Sequence, residues 1–265
     1  MTTLVLLCLV LGAVAGFFAG LFGIGAGILM VPVLREILLR QDVAPDLALR
    51  LALGTSMASI VFNSLASLRA HHRHGAVLWP VVGRIAPGIV LGTLAGTQLV
   101  ALLPVRLLAL LFVALLLLIA LQMALELQPA PRRGLPGTAA LAAVGAGIGM
   151  VMSVIAGGGG MLSVPFLVWC NVDLRKAIGT AAAIGFPIAV SGTLGFALAG
   201  RHASSLPAWS LGYVYLPALA ATVAASSLTA PFGARLTHRL PLRALRRGFA
   251  ALLLLVAARM LTTVI

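Results

Sequence analysis

Gly16-FFAGLFGIGAGILMV-Pro32 and Gly149-MVMSVIAGGGGMLSV-Pro165 are two versions of one stretch, set 133 residues apart (16 and 149). Gly16, Gly25, Gly27, Leu29, Val31 and Pro32 meet identical residues in the second copy. Both versions are apolar from end to end and interrupted by glycines, Gly23-IGA-Gly27 in one and Gly157 to Gly160 in the other. A bilayer core about 30 Å thick takes roughly 20 apolar residues at 1.5 Å each to cross. The segments containing these stretches, 3–40 and 137–170, are too long for one straight crossing: the first would extend about 57 Å as a helix. Clustered glycine weakens a helix by about 1 kcal/mol per residue against alanine, so the break is expected there. Residues 28–40 and 161–170 then remain as half-helices.

Working outward, the repeat continues. Arg50-LALG-Thr55 finds its counterpart in Arg175-KAIG-Thr180, and Pro104-Val105-Arg106 in Pro241-Leu242-Arg243; the apolar runs that follow end at Met123 and Met260. The chain therefore divides into a first repeat, 1–128, a linker loop at 129–136 rich in proline and arginine, and a second repeat, 137–265. Three ordinary spans follow the long segment in each half: 47–69, 77–101 and 105–125, then 175–199, 208–232 and 244–264. The short alternating segments of a membrane barrel are absent from the sequence. The expected fold is all-α, a polytopic membrane protein of two homologous four-segment repeats with Gly-broken first helices. Composition agrees: 62% of the 265 residues are apolar and 9% charged, far outside the range of soluble globular domains. Residues 1–20 lack the basic leader of a secretory signal, and a similar segment recurs mid-chain, so cleavage is not expected.

The net charge of +13, from 18 Lys plus Arg against five acids, reads as basic loops at an anionic cytoplasmic surface and not as a nucleic-acid footprint. Two topologies are compatible with the charge pattern. If each long segment crosses once, the repeats are parallel and the cytoplasmic loops hold 11 Lys/Arg against 7. If each turns back at its glycines, the repeats are inverted and the count is 12 against 6. Both put the termini outside. They differ on the His71-His72-Arg73-His74 loop, outside in the first and inside in the second, and inverted repeats are preferred because they produce alternating access readily.

A broken helix leaves backbone N–H groups that lipid cannot satisfy, so the break must face protein or a watery cavity. The amides of a half-helix beginning at Ile28 or Met161 carry about half a positive charge and form an anion site. Gly23, Gly25, Gly27 and Ile28, with Gly157, Gly158, Gly159, Gly160 and Met161, are the candidate substrate-binding backbone. The competing use of such glycines is close helix packing. Span 47–69 adds Ser56, Ser59 and Asn63 on one helical face, with Ser67 on the same face; its counterpart offers Thr180, Ser191 and Thr193, with a possible bend at Pro187. Asn63 and Thr180 are preferred among the side chains. All five acids, Glu36, Asp42, Asp46, Glu126 and Asp173, fall at segment ends or in loops, which speaks against proton relay or cation binding within the membrane. The glycine motifs lack a following Gly-Lys-Ser/Thr, so no nucleotide site is expected. The histidine loop reads as a solvated basic loop, and Cys8 and Cys170 as packing residues. No catalytic residue, metal or cofactor is expected, and no enzymatic activity.

GFFAGLFGIGAGILMVPVL and GMVMSVIAGGGGMLSVPFL, each followed by an R-x-A-x-G-T-like segment, resemble the sulfite exporter TauE/SafE family, the toluene-sulfonate uptake permease group, over essentially the whole chain. The resemblance implies a multi-pass permease of the bacterial inner membrane that moves small sulfur-containing anions such as sulfite, thiosulfate or organosulfonates. It carries over onto Gly23, Gly25, Gly27, Gly157 to Gly160, Pro32 and Pro165. The copies differ at Ala26 and at Ala156, which stands where the first has Gly23. Export of the anion is the expected activity. The alternatives are a carrier or channel for another small solute and a non-transport membrane assembly factor. Partners expected are the anion and the bilayer, with a homodimer left open and no nucleic acid.

Overall fold

The computed structural model describes residues 2–22, 27–125, 134–203, 205–237 and 242–264. They form ten described helices: α1 Thr2–Phe22, α2 Gly27–Leu39, α3 Pro45–Arg73, α4 Trp79–Leu102, α5 Val105–Ala124, α6 Thr138–Ile155, α7 Gly160–Trp169, α8 Leu174–Ala199, α9 Leu216–Thr237 and α10 Leu242–Val264. Six of these are long and apolar enough to cross a membrane, and the chain is an all-α polytopic membrane protein. The second long segment is interrupted where its glycines cluster, α6 ending at Ile155 before α7 starts at Gly160; in the first, α1 ends at Phe22 and α2 starts at Gly27, and residues 23–26 lie outside the described residues. Most of the expected linker, residues 129–133, lies outside the described residues.

One expected boundary is corrected. The span placed at 208–232 starts as a helix only at Leu216, because Ser210–Leu211 and Val214–Tyr215 first pair as a short antiparallel hairpin. Gly212 makes that turn with a φ of 55°, and a side chain there would strike the Ala197 carbonyl of α8. Glycine alone meets both demands.

Small residues set how the helices run. Gly12 and Gly16 of α1 press on Thr222 and Ser226 of α9, so α1 and α9 lie side by side in the same direction. Gly88 and Gly92 of α4 press likewise on Ala142 and Ala146 of α6, again in parallel. Both seams use the small-residue spacing of four that lets helix backbones approach in lipid. Against α8, α3 runs the other way: Gly54 meets Phe196, Gly192 meets Met57, and Gly185 lies near Ser64. Ser59 reaches Thr222 while Thr55 reaches Tyr215, so α3 and α9 are parallel. Helices α1 and α3 thus point the same way, and the chain must turn back between the end of α1 and the start of α3.

Candidate functional site

The start of α2 meets the end of α6. Gly27, the first residue of α2, lies against the carbonyl of Ala156, the residue that closes α6, and a Cβ on it would stand 2.7 Å from the Ile60 Cδ1 of α3. Ala156 adopts the left-handed conformation, φ 47°, and the Gly157 N–H returns to the Met152 carbonyl at 3.2 Å. This closes α6 as a left-handed cap does. Residues 156–159 are all buried. Gly159 then seats the start of α7 on α8, where a side chain would strike the Ala181 carbonyl and come within 2.5 Å of the Gly185 nitrogen. No side chain caps α7. The Ser163 N–H donates to the Gly159 carbonyl at 3.3 Å, so the amides of Gly160, Met161 and Leu162 precede that first helical bond.

Ser56, Ile60 and Asn63 follow one another at steps of four and three and share a face of α3. Since Ile60 touches the junction, its two polar neighbours flank it on either side. The Ser56 hydroxyl, on a fully buried residue, and the buried Asn63 Nδ2 have no hydrogen-bond partner among the described residues. An unsatisfied buried polar group costs roughly 1–3 kcal/mol. Ser59 is occupied otherwise, donating to the Thr55 carbonyl at 3.1 Å and lying 3.3 Å from Thr222 Oγ1. Ile28 and Met161 are both buried beside their glycines. Gly23 and Gly25 lie outside the described residues.

Thr180 has a definite partner away from the junction: its Oγ1 accepts the Leu78 N–H at 3.0 Å, at the start of α4. Thr55 does the same in the other half, its Oγ1 accepting the Tyr215 N–H at 3.0 Å just ahead of α9. Gly179 and Gly54, each one residue earlier, are the places where the Ala76 and Tyr213 carbonyls come in. The Gly-Thr pair is thus a clasp holding the chain that leads into a helix of the opposite half. The sequence marked the motif without revealing this use, because its partner lies 102 and 160 residues away.

No described carboxylate sits at the junction. Glu36 pairs with Arg40 at 3.5 Å, Asp42 and Asp46 are exposed, and Asp173 caps α8. A cavity of about 280 Å³ opens elsewhere, between α4 and α8, walled by Val90, Leu94, Phe186, Pro187 and Leu194. Its one hydroxyl, Ser191, is spent on the Pro187 carbonyl at 2.6 Å. Such a wall suits hydrocarbon and not an ion. Ser163, fully buried on α7 with an unpartnered hydroxyl, is a polar residue that sequence reasoning passed over, and no periodic signal singled it out.

Residues 8–260 match the Sulfite exporter TauE/SafE family, and the chain belongs to that family. A "Probable membrane transporter protein" of Haemophilus influenzae is 38% identical over 263 residues, 98% of this chain and 99% of that protein. Two proteins of Bacillus subtilis, "Probable membrane transporter protein YdhB" and "Probable membrane transporter protein YunE", are each 26% identical, over 74% and 72% of this chain and 79% and 78% of their own lengths. No solved structure matches the chain.

Proposed function

We propose that this membrane permease exports a small sulfur-containing oxyanion, such as sulfite, thiosulfate or an organosulfonate, across the bacterial inner membrane, and that the anion binds where the start of α2 meets the end of α6. One observation carries the reading: an unpartnered hydroxyl and amide, Ser56 and Asn63, flank Ile60 at a junction against which the uncapped α7 begins. Neutral donors of this kind, with helix N-termini, bind an anion without a buried cation. An oxyanion offers several acceptor oxygens to such donors, and interior carboxylates that would repel it are absent among the described residues.

The halves are proposed to be related by a two-fold axis in the membrane plane. Contacts that recur at the 133-residue offset support this, since Gly12 with Thr222 and Gly16 with Ser226 are matched by Gly145 with Ile89 and Gly149 with Thr93. In the inverted topology twelve Lys and Arg fall on the side of the His71–His74 loop and six on the other, so that loop is assigned to the cytoplasm. A negative interior then drives a monovalent anion outward by about 2.3 kcal/mol per 100 mV.

The test is flux of labelled sulfite or sulfonate in proteoliposomes, with and without an imposed potential and with Gly158→Leu. Potential-dependent flux that the leucine variant loses is expected. Flux indifferent to potential would remove electrogenic export, and normal transport by the variant would remove the backbone-amide site. A thermal-shift panel of sulfite, sulfate, sulfonates and neutral amino acids separates the oxyanion from other solutes.

A further inference from the structure

We propose that the face formed by the end of α3, the start of α4 and the start of α8 binds the headgroup of an anionic phospholipid. α3 closes with Arg69, His71, His72 and Arg73, followed by His74, and all but the partly buried His71 are exposed. Two contacts bring α8 to this end. The Gly179 backbone lies where a Cβ would be 2.7 Å from the Ala76 Cβ, and Leu78 N–H donates to Thr180 at 3.0 Å. Arg175 and Lys176, both exposed, sit one turn before Gly179, and Arg73 is three residues before Ala76. Cations from two helices therefore converge on one rim.

One acid stands among them, so the four cations Arg69, Arg73, Arg175 and Lys176 keep a surplus of three positive charges. Asp173, the carboxylate nearest in sequence, uses Oδ1 to accept the Arg175 and Lys176 N–H groups at 3.0 and 3.4 Å as the cap of α8. The same helix starts carry exposed apolar side chains: Trp79 on α4 is 47% exposed, and Leu174 and Ile178, one turn apart on α8, are 46% and 42%. Trp79 is held at the start of α4, its Nε1 donating to His72 Nδ1 at 3.2 Å, as an indole at the bilayer interface is commonly anchored. A soluble anion would use the cations and leave the apolar side chains idle. An amphiphile with a negative headgroup and acyl chains uses both, and juxtamembrane basic clusters attract such lipids.

The experiment is native mass spectrometry of the full chain from micelles doped with equal phosphatidylglycerol and phosphatidylcholine, repeated with R73Q/R175Q/K176Q and, as a control at the opposite end, R40Q/R201Q. Phosphatidylglycerol should be retained preferentially by the full chain and the control. The triple variant should lose at least tenfold of that preference, and R175Q alone roughly fivefold. Equal retention of the two lipids, a triple variant that keeps the preference, or displacement of phosphatidylglycerol by millimolar sulfate would each overturn the proposal. Should the triple variant fail to fold, the single R175Q decides in the same way.

Discussion

Replacing Gly159 with alanine tests the junction most directly, because the atoms it would meet are backbone. The added carbon would stand 2.5 Å from the Gly185 nitrogen and 2.7 Å from its Cα, where ordinary contact begins at 3.4 Å. The start of α7 must therefore withdraw from α8 by roughly an ångström, at the 1–3 kcal/mol typical of overpacking. Gly92→Ala supplies the comparison: it meets the Ala146 backbone as tightly, at 2.6 Å to Cα, but in the α4–α6 seam away from the breaks. Both variants should melt several degrees lower, at about 2–4 °C per kcal/mol. They should part in liposome flux per folded molecule. Gly92→Ala should stay within about twofold of the parent, while Gly159→Ala, with its amides displaced from the anion, should lose tenfold or more, the equivalent of about 1.4 kcal/mol of lost binding. Equal losses in the two would mean that the Gly159 backbone is packing and nothing else, and the anion site would have to be sought elsewhere.

Ser56→Ala removes a buried hydroxyl that has no protein partner, so melting should be unchanged or slightly raised while anion flux falls several-fold; a loss of stability with normal flux would contradict this. Thr180→Val should do the reverse, costing about 1–3 kcal/mol by stranding the Leu78 amide while leaving the apparent affinity for anion intact, as read by thermal unfolding and by flux against concentration. A cysteine in place of the exposed His72 should react with an impermeant maleimide only from the cytoplasmic side, and labelling of intact cells would reverse the assigned orientation.

The helical plan could be read almost entirely from residues whose physics is local. A 38-residue apolar segment cannot cross once as a straight helix, and a glycine cluster is the cheapest place to break it, which is where α1 and α6 end. The hairpin at 210–215 was hidden because Trp209 and Leu211 look like the head of an apolar span, and only the approach of Gly212 to Ala197 explains why the helix starts late. Direction was equally out of reach. Charge counts are compatible with two topologies, and which helices run parallel is set by long-range contacts such as Gly12 on Thr222 and Gly88 on Ala142. The glycines themselves were ambiguous, since packing seams and helix breaks draw on the same residue. Gly145 and Gly149 pack against Ile89 and Thr93 at a spacing of four, while Gly27 and Gly159 stand at helix starts.

Comparing the two halves position by position separates scaffold from chemistry. Aligning Arg50 with Arg175 puts Gly54 on Gly179 and Thr55 on Thr180, and these shared residues make the same clasp in both halves. On the face beside them the halves diverge: Ser56, Ser59 and Asn63 fall on Ala181, Ile184 and Ile188. Folding alone does not ask for that difference, because α8 packs well with the apolar set, and a buried hydroxyl or amide without a partner is a cost. A polar set kept on one half only, beside the place where the start of α2 meets the end of α6, is what an asymmetric guest would require. The backbone contribution need not be lopsided in the same sense, because α7, whose uncapped amides would face that guest, belongs to the half in which the matching face of α8 is apolar. Each half would then supply one kind of donor, α3 its side chains and α7 its peptide nitrogens, and neither half would bind the anion alone.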